Sequence, residues 1–281
     1  MPDQLPSMSP HPKLPANSNF PWWIVAIGLL FAATGFKIWS DTLYQQIFSI
    51  VSEGIGVTLY VTACAFAMAS VIGLLAALAF KSHYNFIRQA ARFYCEVVRG
   101  IPVLVLLFYM AFVASPALVA AANFVLSYPQ KAGWIAVLEI RDFSLTWRAI
   151  IALTISYSAF LAEVFRAGLQ AVDHGQIEAA KALGLSRSKV FRFVSFPIAL
   201  RTILPPLGND FISMIKDSAL VSVLGVGDIT QMAKMYAGGS FLFFETYSIV
   251  AVVYLFITIS LSLLLRAIEQ KLSVHENTYH A

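Results

Sequence analysis

The sequence predicts an all-α polytopic membrane protein of about six transmembrane helices, and three observations carry that prediction. First, 59% of its 281 residues are hydrophobic and 12% are charged, where an ordinary soluble domain carries roughly a quarter charged. Second, apolar stretches of about 17–25 residues, enough to cross hydrocarbon as helix, recur along the chain, and the mean hydropathy is +0.74. Third, cations gather in alternate connections between those stretches, the pattern that orients membrane helices. Open strands are excluded because their edges would leave backbone groups unpaired in lipid. The net charge of +4 follows from that loop pattern and gives no argument for nucleic acid as a partner. Cys64 and Cys95 lie in or beside apolar segments without a spacing partner, so neither a disulfide framework nor a metal site is indicated.

Residues 1–20 hold Pro2, Pro6, Pro10, Pro12 and Pro15 among small polar residues and read as a disordered tail. A first span is expected from Pro21 to Ile38, with Trp22, Trp23 and Trp39 as interfacial anchors. A cleaved leader is the alternative, but Lys13 is its one leading cation and no small-x-small cleavage site is evident. Asp41 to Ser52 is amphipathic and expected to lie on the membrane surface, closing a unit over 21–52. The second span, Gly56 to Phe80, is rich in small residues that let membrane helices approach closely. Lys81, Arg88, Arg92 and Arg99 then mark a cytoplasmic connection.

The third span is expected over Gly100 to Ala122, opened by Pro102, and the fourth over Ala149 to Phe165. The central loop, 166–201, carries Arg166, Lys181, Arg187, Lys189, Arg192 and Arg201, and is also cytoplasmic by charge. A fifth span, Pro206 to Val226, is interrupted by polar residues, and a sixth runs from Thr246 to Leu265, with 272–281 as a tail. The alternation puts both termini in the cytoplasm.

The central loop organises the chain. Asp173 followed by Gln176 has the spacing of a capping box, so a helix is expected from His174 to Leu183. Gly184 suits a left-handed C-terminal cap, Ser186 can open a second helix, and Pro197 is expected to interrupt it. Ile177, Ala180 and Leu183 would share an apolar stripe. Periodicity alone is equally satisfied by an ordinary interfacial helix pair.

The string is more specific. Glu178-Ala179-Ala180, Gly184, then Val194-Ser195-Phe196-Pro197 resembles the EAA loop of bacterial ABC importer permeases, with Val194 and Phe196 where that family has other apolar residues. Further resemblance lies in Gly54–Leu59, Arg99–Pro102, Ala162–Gly168, Pro205–Asn209 and Lys216–Gly225, which look like the polar amino-acid subfamily. It spans roughly Glu53 to Lys271, so 53–271 would be the permease domain, of ABC importer type I fold, and Pro21 to Ile38 an added helix. The resemblance implies that Glu178, Ala179, Ala180, Gly184 and Pro197 dock a cytoplasmic ABC ATPase subunit. It also implies an extracytoplasmic solute-binding protein, a homodimer or a heterodimer with a homologous permease, a polar amino-acid substrate, a bacterial inner-membrane location and no cofactor.

Asn209, Ser213 and Lys216, with Asp210 and Asp217, form a broad polar face on the fifth span. Such groups line a solute pathway, or a Lys216–Asp217 or interhelical pair holds the fold. Glu163 and Arg166 are expected to pair locally rather than touch substrate. No Gly-x4-Gly-Lys-Ser/Thr string occurs, so ATP hydrolysis would belong to a partner and the chain is not expected to be an enzyme. The alternative is an ion-coupled secondary transporter acting through Asp210 and Asp217, though no internal repeat is evident. No nucleophile or metal spacing supports an intramembrane enzyme.

Overall fold

A computed structural model describes residues 22–277, all of whose regular structure is helical. The tail expected over 1–20 and residues 278–281 lie outside the described residues. Among the described residues, six helical stretches are long and apolar enough to cross a membrane: Trp22–Ser40, Thr42–Ala79, Val103–Val125, Leu145–Gln170, Arg187–Leu224 and Phe243–Gln270.

The centre is a helix pair. Helix α2 (Thr42–Ala79) presents Val61, Ala65, Ala69, Gly73 and Ala77 on one buried stripe. Small side chains at such spacing let two backbones approach, which is where attraction between helices in lipid originates. Its partner is the fourth span, packed along it through Ala149, Leu153 and Leu161. At Gly73 a Cβ would stand 2.9 Å from the Ser158 carbonyl oxygen, so that contact is backbone against backbone. Thr154 adds a hydrogen bond to the Ala65 carbonyl, 3.4 Å.

The first turns of α2 correct an expectation. Asp41 to Ser52 does not form a separate surface helix; it is continuous with the second span. Asp41 caps the joint element by accepting from the Leu43 amide, 2.9 Å. Ile47 and Val51 are buried against Ile229, Ile249 and Val250, so the apolar face finds protein rather than the membrane surface. At Gly54 a Cβ would fall 2.4 Å from the backbone of Asp228 and Ile229, which fixes how closely that neighbour approaches.

Helix α1 (Trp22–Ser40) has no buried residue. It touches the bundle through an edge-to-face contact of Phe31 with Phe256, 5.8 Å between centroids, and through Lys37 over the Tyr44 ring, 5.0 Å. Helix α3 (Asn85–Gly100) packs Cys95 and Val98 on Ala159 and Ala162. The third span comprises α4 (Val103–Tyr109), a π-helical stretch (Met110–Ala114) and α5 (Ser115–Val125). A short α6 (Ser127–Lys131) and a 3-10 turn (Ile140–Asp142) lead to α7 (Leu145–Gln170), the fourth span.

The central loop folds as α8 (His174–Ala182) and α9 (Arg187–Val190), which passes through a π-helical stretch (Phe191–Ser195) into α10 (Phe196–Asp217). Pro197 therefore does not interrupt the chain: it is the second residue of α10, directly after the π-helical stretch, where the i→i−4 ladder is already irregular and a missing N–H is absorbed. Pro205 and Pro206 lie inside α10, so the fifth span begins about ten residues earlier than expected. A 3-10 turn (Ser218–Leu224) follows, then α11 (Ile229–Ser240) and α12 (Phe243–Asn277), which stays helical through 272–277, where a tail was expected.

Asp228, fully buried, caps α11 by accepting from the amides of Thr230 (3.2 Å) and Gln231 (2.9 Å) and from the Tyr254 hydroxyl (3.3 Å). Burial pushes its carboxyl above the ordinary aspartate range, more strongly than those bonds pull it down.

Candidate functional site

Local chemistry shapes α8. Asp173 is its N-cap, but its carboxylate accepts from the Gly175 amide at 2.5 Å, two residues on, and the reciprocal box with Gln176 does not form. The other end is built as the turn residues require. Gly184 sits at φ +78°, its amide donates to the Lys181 carbonyl (2.9 Å), and the Leu185 amide reaches back to Ala180 (3.2 Å). This doubly bonded left-handed cap satisfies the helix's last carbonyls within the chain itself.

The helix is thus complete at its ends and open on one side. Ala180 is buried and Ile177 packs against the core beside Val172, whereas Glu178, Ala179 and Gly184 are exposed. Leu183, on the same apolar stripe, is 82% exposed. Ala179, Ala180, Leu183, Leu185, Val194 and Pro197 border a shallow cavity of about 520 Å³. Phe193, which the sequence pattern did not assign to this surface, lines the same cavity, and the rings of Phe191, Phe193 and Phe196 are exposed. Around it Lys181, Arg187, Lys189, Arg192 and Arg201 are exposed, and among the described residues none forms an ion pair. The arrangement has no nucleophile or general base in a cleft. What it offers is an apolar ridge with a basic margin.

At the membrane-facing edge of this loop, Arg166 and Glu163 pair locally as expected, with nitrogen–oxygen distances of 2.5 and 2.7 Å. Arg166 also donates to Gln170, 2.8 Å.

The polar face of α10 is divided. Asn209 and Lys216 are exposed; Asp210, Ser213 and Asp217 are half-buried. The pair between Lys216 and Asp217 is absent among the described residues. Asp217 instead accepts from the Tyr157 hydroxyl of α7, 2.8 Å, a partner 60 positions away that no local pattern announces. An unpaired lysine facing lipid costs about 2.5–3.5 kcal/mol at the centre of a span and less toward its ends. Such a face belongs against protein or water. No group of three or more His, Cys, Asp or Glu that could hold a metal ion occurs among the described residues.

Comparisons with known proteins bear on the family and fold of the chain. Residues 69–274 match the family described as binding-protein-dependent transport system inner membrane component. The chain is 33% identical over 226 residues to the probable amino-acid permease protein YxeN of Bacillus subtilis (strain 168), covering 80% of this chain and 92% of that protein. It is 35% identical over 225 residues to the glutamine transport system permease protein GlnP of Escherichia coli (strain K12), covering 80% and 94%. Among solved structures, an amino acid ABC transporter crystallised with histidines superposes with a TM-score of 0.66 at 34% identity, covering 83% of this chain and 98% of that one. The inward-facing MetNI methionine ABC transporter shares the fold, with a TM-score of 0.58 at 18% identity over 79% and 96% of the two chains.

Proposed function

The chain belongs to the family of binding-protein-dependent transport system inner membrane components, and from that premise we propose that it is the membrane subunit of an ATP-driven importer of polar amino acids. It is a permease subunit and not itself an enzyme; hydrolysis belongs to a separate ATPase subunit. The ion-coupled alternative has no support among the relatives.

One observation carries the coupling role: α8 is closed at both ends by its own chain, yet keeps Glu178, Ala179 and Leu183 turned outward beside unpaired cations. Such a helix is a ready-made knob for a cleft in another subunit. Glu178, Ala179, Ala180, Gly184 and Pro197 form or border that knob, and the surrounding loop charge supports a cytoplasmic location. Closure of the ATPase pair would push on α8, and the unbroken path through α9 into α10 carries that push into the membrane.

Asn209, Asp210, Ser213, Lys216 and Asp217 then line the solute's path on the open side of α10. A second permease, identical or homologous, faces that side and keeps lipid from Lys216. The substrate class rests on the names of the relatives, a glutamine permease and an arginine permease among them. Both termini are cytoplasmic in this arrangement, and the solute-binding protein docks on the opposite face.

Reconstitution of the permease with its ATPase and binding protein tests the reading. Uptake of a polar amino acid should require ATP and the binding protein, and uptake persisting without either would overturn it. Within that system Glu178→Lys or Gly184→Asp should lower uptake about a hundredfold and weaken ATPase retention on purification, with membrane insertion unchanged. Normal uptake in both variants would remove α8 from the coupling role.

A further inference from the structure

Arg148, in the first turn of α7, is 8% exposed, and among the described residues it pairs with no carboxylate. The nearby acids are engaged elsewhere: Glu139 binds Arg141 at 2.9 Å, and Asp142 accepts from the Glu139 amide at 2.8 Å. Its guanidinium donates only to backbone carbonyls, and these come from three places. Nε reaches Phe143 (2.8 Å), one terminal nitrogen reaches Ile140, and the other reaches Ala111 in the third span (3.3 Å). Arg148 also lies over the Phe143 ring, 5.8 Å from its centroid.

The Ala111 carbonyl is open for a covalent reason. In an α-helix it would accept from the Ser115 amide, but that amide bonds Met110 in the π-helical stretch. The next possible donor is residue 116, a proline with no N–H. The π stretch therefore creates an orphan acceptor, and Arg148 fills it from another helix.

We propose that Arg148 is a positioning residue: it locks the segment Ile140–Phe143 to the π-helical stretch of the third span, so that docking of the binding protein on that face is felt by the membrane helices. The segment is built to transmit a load. Asn123 at the end of α5 holds Leu138 by both amide hydrogen bonds (2.8 and 2.9 Å) and binds Gln130 at 2.7 Å, so the connection is braced at two points. Only the Arg148 point reaches into a span at an irregular turn, where one helix register can give way to another.

The proposal rests on the importer reading, and the test separates the two. In lipid nanodiscs holding the permease, its ATPase and a saturating binding protein, wild-type hydrolysis should be stimulated; no stimulation would be a failure of the importer reading. Given stimulation, Arg148→Gln should leave basal hydrolysis within about twofold and reduce the stimulated increment about tenfold. Arg148→Lys should restore part of it, since one ammonium cannot spread over three carbonyls. Hydrogen exchange in Arg148→Gln should rise in 138–144 and 108–116 and stay unchanged in α2. Full stimulation in Arg148→Gln, or exchange raised evenly through the chain, would overturn the proposal. If that variant does not assemble, the wild type decides. Binding-protein docking must then protect both segments, and protection of 138–144 alone overturns the lock.

Discussion

Helices α1 and α7 are about equally apolar, yet α1 has no buried residue while most of the apolar stretch of α7 is buried. Small residues do not explain the contrast, because α1 also carries Gly28, Ala32 and Gly35 along its length. A Cβ at Gly28 or Gly35 would meet nothing within 4 Å, whereas one at Gly73 meets the backbone of α7. The difference is in polar groups that need an answer. Arg148, Thr154, Tyr157 and Ser158 of α7 bond to the third span, α2, α10 and α3 respectively. Between Ile24 and Ala33, α1 has no side chain that asks for one. Hydropathy decides that a helix enters the membrane. Hydrogen-bonding side chains matched to small-residue stripes decide which helix becomes the centre.

That contrast can be broken experimentally. The largest effect is expected from Gly73→Val, which forces side-chain atoms into the α7 backbone and should destabilise the fold by about 3 kcal/mol; Gly28→Val should leave the thermal midpoint of the purified protein unchanged. Equal midpoints for the two variants would show that α2 and α7 are not the tighter pair.

A smaller effect is expected at Asp228, where a polar group supports packing outside the spans. Because burial raises its folded carboxyl above the unfolded value, ionisation is penalised in the folded state. Its contribution to stability is greatest at low pH and is lost as pH rises through the raised value. Asp228→Asn, which keeps a capping oxygen, should flatten this pH dependence in thermal melts, while Asp228→Ala should cost about 1–2 kcal/mol through the lost cap. Smallest of all should be removal of residues 1–40: uptake by the reconstituted importer should fall by less than about twofold if α1 is as separable as its lack of buried residues suggests.

Much of this was legible in the chain, and the pattern of misses is physical. The six spans follow from apolar length, and the loop geometry follows from Asp173 and Gly184, whose effects reach only a few residues. The unity of α2 was hidden because Ser49, Ser52 and Glu53 look like a break, although a helix tolerates them when Ile47 and Val51 find partners on α11 and α12. Pro197 and the Pro205–Pro206 pair misled for the opposite reason, since a π-helical stretch or a membrane bundle accommodates them. Spacing could not have paired Arg148 with Ala111, or Tyr157 with Asp217. Their partners lie 37 and 60 positions away.

The length of α2 has a mechanical meaning. Its 38 residues form one uninterrupted rod of about 57 Å, in a hydrocarbon layer about 30 Å thick. A mast that long, clamped near its foot by α11 at Gly54 and along its shaft by α7 at Gly73, has no joint at which motion could dissipate. Leaning it by about 10° carries one tip about 10 Å relative to the other. Whatever tilts it on one side of the membrane is displaced, in the same stroke, on the other.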